Sequence, residues 1–177
     1  MNKTEIEVAR LDGFLFGTTL FSGRVRDYSA NSYLIKLGEF SSVESSLINF
    51  FSDQAKLVIS NVKYLKNGVG ELEREIENYI IRDTYNVNRD NLTSLRKYLS
   101  FRIMDLIDDI LDRNWNVDVL KMDGIFDSSE SISIFFCIQM KDAIFVLQFN
   151  DDIEFMKQQE QRYIQEMKQI EEQNRAM

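Results

Sequence analysis

The chain contains no histidine and no proline, one cysteine, and nowhere the roughly 18 consecutive apolar residues that a membrane-spanning helix needs. Each absence removes a class of function. Without histidine there is no ordinary proton carrier near neutral pH, no imidazole for zinc, and no base for a Ser-His or Cys-His nucleophile pair. A single cysteine, Cys137, excludes an internal disulfide and a multi-cysteine zinc site, and it suits a reducing cytoplasm. Its neighbours Phe136 and Ile138 are apolar, so a buried, inert thiol is expected. The lack of proline excludes polyproline linkers and recognition segments. At the N-terminus, Glu5, Glu7 and Asp12 precede the short apolar run Phe14–Phe21, which does not read as a secretory signal.

What the chain does have is enough apolar surface for one core. Its 177 residues are 44% hydrophobic and 12% aromatic, with 13 Phe and 7 Tyr, far from the aromatic-poor composition of disordered chains. The formal charge of −8 disfavours a sequence-independent grip on nucleic acid or anionic lipid, which draws on clustered Lys and Arg. A basic protein partner would instead be attracted, chiefly through association rate and partner choice.

Periodicity predicts an α+β fold. Residues 1–40 read as a mixed segment with two or three short strands, because Ile6, Val8, Phe14 and Phe16 alternate while Gly13, Gly17 and Gly23 interrupt. A further alternation, Tyr33, Ile35 and Leu37, precedes Gly38. From a capping box at Ser41-Ser-Val-Glu44, one helix is expected over about 41–66, with Val43, Leu47, Phe50, Phe51, Val58, Val62 and Leu65 on its apolar face and Asn67-Gly68 as its stop. A second helix, about 70–82, turns Leu72, Ile76, Tyr79 and Ile80 inward and crowds Glu71, Glu73, Glu75 and Glu77 into its first turns, where the helix dipole favours acid. A third, about 91–114, carries Leu92, Leu95, Leu99, Ile103, Leu106 and Ile110 toward the core.

The period then changes to two. Trp115–Met122, Ser131–Met140 and Ala143–Phe149 are expected to form an antiparallel three-stranded meander over about 115–149, against which the helices pack. Residues 1–150 thus read as one globular domain. Residues 151–177, rich in Glu, Gln and Lys, read as a polar C-terminal helix that either docks or fray into solvent on its own chain or pairs between copies.

Chemistry has few places to reside. No Walker-type loop or dinucleotide fingerprint is present, and no cofactor or metal is implied. Asp105, Asp108, Asp109 and Asp112 recur at helical spacing on one face, which fits either a solvated or partner-facing stripe or, less simply, a magnesium site. Tyr98 and Phe101 stand in line with that stripe, opposite the core-facing leucines. Either they pack beneath the N-terminal segment or the tail, or they form an aromatic and acidic strip suited to a cationic protein surface.

The expected function is therefore noncatalytic protein binding through Tyr98, Phe101, Asp105, Asp108, Asp109 and Asp112: an immunity or inhibitor protein, or an accessory subunit of a bacterial or phage complex, in the cytoplasm. A mimic of nucleic-acid phosphates is a variant of the same reading. The alternatives are a scaffold that oligomerises through residues 151–177 and a magnesium-dependent enzyme built on the Asp stripe.

Overall fold

Asn2 opens the first helix by a reciprocal exchange: the Glu5 amide donates to Asn2 Oδ1 (2.9 Å), and the Asn2 amide donates to Glu5 Oε2 (2.8 Å). This is a capping box, and it starts a helix where short strands were expected. In the computed structural model, which describes residues 2–21, 29–37, 42–66, 68–81, 89–127 and 131–152, helix α1 spans Lys3–Phe21. Its buried residues Val8, Leu11 and Leu15 follow helical steps, whereas Ile6 and Phe16, which produced the apparent alternation, are exposed.

Strand β1 (Ser29–Lys36) follows, then helix α2 (Val43–Phe51), strand β2 (Leu57–Tyr64), helices α3 (Val69–Ile81) and α4 (Arg89–Ile110), and strands β3 (Val119–Phe126), β4 (Ser131–Gln139) and β5 (Ala143–Asp152). The expected meander is only the middle of the sheet. All five strands join one antiparallel sheet in the order β1-β5-β4-β3-β2, so β1 and β2 extend the three strands read from the sequence.

The single helix expected over 41–66 is two elements. Ser42 caps α2, its hydroxyl accepting from the Ser45 amide (3.1 Å), and the helix ends at Phe51. In β2 the register slips between Ile59 and Asn61, a β-bulge, so that Leu57, Ile59, Val62 and Tyr64 pair with Phe126, Gly124, Met122 and Leu120 in turn. The bulge inserts one residue into the alternation. Val58, Val62 and Leu65 nonetheless stand four and three residues apart, the spacing of one helical face, which explains the expectation of a continuous helix. Gly124 belongs to the same arrangement, since a Cβ there would lie 2.8 Å from Leu57 Cδ1 and 3.2 Å from Phe135 Cε2.

Two apolar clusters face opposite sides of the sheet. On one, Ala30, Ile134, Phe136, Phe145, Leu147 and Phe149 meet α1, α3 and α4 through Leu11, Leu15, Leu72, Ile76, Ile103 and Ile107. On the other, Ile35, Met122, Phe135, Cys137 and Val146 meet the nine-residue α2 through Leu47 and Phe51. Phe51 also packs edge-on against Tyr33 and Phe126, with ring centroids 5.6 and 5.1 Å apart. Helix α3 is held by charge as well: Glu75 accepts from Lys121 Nζ on β3 at 3.0 Å, and Glu71 pairs with Lys63 on β2 at 3.3 Å. Lys63 and Lys121 are direct cross-strand partners, so two glutamates one helical turn apart offset a like-charge pair.

Helix α4 stops at Ile110, short of the expected 114. The Arg113 amide donates to the Asp108 carbonyl (3.0 Å) and the Asp112 amide to that of Asp109 (3.4 Å), the bonding of a Schellman cap, with Asp112 in the left-handed region at φ 52°. Trp115 accordingly lies in the connection before β3, not in a strand. The side chains of Tyr79, Ile80, Leu92 and Leu95, and residues 153–177 of the expected tail helix, lie outside the described residues.

Candidate docking surface on helix 4

Helix α4 packs between α1 and α3, its Ile103, Leu106, Ile107 and Ile110 turned to the sheet. Its opposite ridge therefore faces outward. Tyr98 is 61% exposed and Phe101 66% exposed, so neither is covered by the N-terminal segment. Asp105 continues the ridge one turn on, in an ion pair with Arg102, and Asp109 is exposed beyond it.

The remaining two acidic residues diverge from the ridge. Asp108 is half-buried, with Oδ2 4.0 Å from Arg113 Nε. Its Oδ1 is buried and accepts no hydrogen bond among the described residues. Asp112, placed by the Schellman turn, pairs instead with Lys3 Nζ of α1 at 2.7 Å, and this contact holds its carboxyl below the usual carboxylate range. The structure thus brings Tyr98, Phe101, Asp105 and Asp109 together, while Asp108 and Asp112 serve the end of the helix. Among the described residues, no group of three or more Asp, Glu or Cys side chains is disposed to hold a metal ion.

Other polar features are of a different kind. On the α2 side of the sheet, Asn150 Oδ1 accepts from Ser133 Oγ and from Gln148 Nε2, both at 2.6 Å, and Asn150 Nδ2 donates to Ser29 Oγ at 2.6 Å. These amides and hydroxyls link β1, β4 and β5 and contain no nucleophile with a base. The Cys137 thiol is also unsuited to attack, because burial pushes it up to about 12.

A cavity of about 560 Å³ opens on that same side, between the start of α2 and the α4–β3 connection. Val43, Tyr64, Leu120 and Cys137 are among its lining residues, and Asn116, Asp118, Gln139 and Lys141 bring polar groups to it. Sequence reading missed it because the segment that supplies Tyr64 was taken for helix. The β-branched pair Val58-Ile59 and the later Val62 and Tyr64 were the available signal.

Comparison with protein-family models, with curated proteins and with solved structures found no match. Among the described residues, no helix is long and apolar enough to cross a membrane.

Proposed function

We propose that this chain is a noncatalytic protein-binding module of a reducing cytoplasm, acting as an inhibitor or immunity protein or as an accessory subunit, and that the outer ridge of α4 meets a partner with a basic surface. The observation that supports this is the exposure of Tyr98 and Phe101 on a helix whose Ile103, Leu106, Ile107 and Ile110 are committed to the core. Large aromatics supply contact area at little entropic cost, and the exposed Asp109 beyond them favours Lys or Arg across the interface, Asp105 being paired with Arg102. The net charge of −8 adds long-range attraction for the same class of partner.

The test is affinity purification from the native host with wild type, Phe101→Ala and Asp109→Lys. Both substitutions sit on exposed positions, so the far-ultraviolet circular dichroism and melting temperature should be unchanged. A central aromatic anchor contributes about 2 kcal/mol or more, so Phe101→Ala should weaken partner recovery by roughly 30-fold. Retention of the same partner by both variants at wild-type affinity would refute the reading.

A further inference from the structure

The cavity on the α2 side of the sheet has an apolar floor set by strand register. Tyr64 of β2 stands opposite Leu120 of β3, and Leu120 opposite Cys137 of β4, so the three side chains form one row on the same face. Leu120 and Cys137 are buried, and Tyr64 is exposed at the end of the row. Val43, at the start of α2, and Leu111, just after α4, add apolar walls.

The rim carries one charge of each sign among its described residues, Asp118 and Lys141. Asp118 directly precedes β3, and Lys141 lies between β4 and β5. Because Val119 pairs with Ile138, these two segments run side by side at this end of the sheet. Both side chains are exposed, and among the described residues neither makes an ion pair or hydrogen bond, with the other or with any third group. Gln139 lies two residues beyond Cys137 on β4, which puts its carboxamide on the cavity face between the two charges and the floor.

We infer that this cavity binds a free apolar α-amino acid, its ammonium on Asp118, its carboxylate on Lys141 and its side chain over Leu120 and Cys137. A zwitterion with an apolar side chain matches the charge pair and the floor together. An anion would meet Asp118 and a cation would meet Lys141, while a wholly apolar ligand would strip water from both charges and offer nothing in exchange. Charge-assisted hydrogen bonds are stronger than neutral ones, and the carboxamides of Asn116 and Gln139 can donate to the carboxylate or accept from the ammonium. The volume of about 560 Å³ is within the range of ligand pockets, roughly 300–1,000 Å³, and admits the larger apolar side chains. The site lies across the sheet from α4, so it does not rest on the docking surface proposed above.

Calorimetric titration of the full chain with leucine, methionine and phenylalanine is the test. At least one of the three should bind, and its analogues isolate each contact. The N-acetyl derivative lacks the positive charge and the amide derivative lacks the negative one; each should bind at least about tenfold more weakly. Glycine, a zwitterion with no side chain to reach the floor, should weaken to a similar degree. Asp118→Lys and Lys141→Glu lie at exposed positions, so circular dichroism should be unchanged while binding falls at least about tenfold; Phe101→Ala should leave binding as in wild type. Ligand should also shift the amide resonances of Leu120 and Cys137, a readout independent of any variant. No binding of the three amino acids at millimolar concentration, equal affinity for the neutralised analogues or for glycine, or wild-type affinity in both charge-reversal variants would overturn the inference.

Discussion

Cys137 shows how position within a sheet sets the chemistry of a single side chain. It lies in the middle of β4 beside Phe136 and Ile138, and burial in that apolar layer raises its ionisation from 9.0 to about 12. Tyr33, packed under α2, is raised by the same cause from 10.0 to about 12. Both groups are neutral when folded and ionise more readily when unfolded. The folded chain therefore holds more protons between about pH 9 and 12, and stability falls as pH rises through that window. Chemical denaturation at stepwise pH should show a midpoint that declines above about pH 9, less steeply in Cys137→Val. Identical profiles for the variant and wild type would show that the thiol does not carry this dependence. The Cys137 environment was legible in sequence from its apolar neighbours; the divergence of Asp112 from the acidic stripe was not, because Schellman caps are usually signalled by glycine and here an aspartate takes the left-handed position.

Among the elements, α3, α4 and the individual strands β4 and β5 were readable, since their hydrophobic periods run uninterrupted, whereas a three-stranded meander was the wrong sheet: five strands join it, and β3 begins at Val119 and not at Trp115. The failures have local causes. Helix α1 was mistaken for strands because exposed Ile6 and Phe16 imitate an alternation with buried Val8 and half-buried Phe14, while its true signal, Asn2 three residues before Glu5, is a capping pair. Strand β2 was absorbed into a helix because Val58, Val62 and Leu65 keep the spacing of one helical face across its bulge. The ridge of α4 was legible because helical spacing alone orders Tyr98, Phe101, Asp105 and Asp109. The cavity beside Tyr64 was not, since its walls meet only once the partners of every strand are known. Closure of the β1 edge by α1 can be tested directly. Asp12→Ala removes the acceptor for the buried Ser32 amide, and an unsatisfied buried donor costs about 1–3 kcal/mol. Urea unfolding should register a loss of this size, and Asp12→Asn, which keeps an acceptor oxygen, should recover much of it. A stability equal to wild type for Asp12→Ala would mean that the contact contributes nothing to closing β1.

The whole molecule presents a different surface on each face of its sheet. Helices α1, α3 and α4 cover one side of the sheet and leave α4 with an outward aromatic and acidic ridge; α2 covers part of the other side and leaves a cavity beside Tyr64 of β2. The central claim is that the α4 ridge is where a basic protein docks. Its most direct measurement replaces Phe101 by photoreactive benzoylphenylalanine, with Val58 replaced in a control, and identifies the adducts formed in the native host. The expected result is one predominant adduct at position 101, to a protein with a basic surface, suppressed by high salt and absent at position 58. Equal adducts at both positions, or none at position 101, would contradict it.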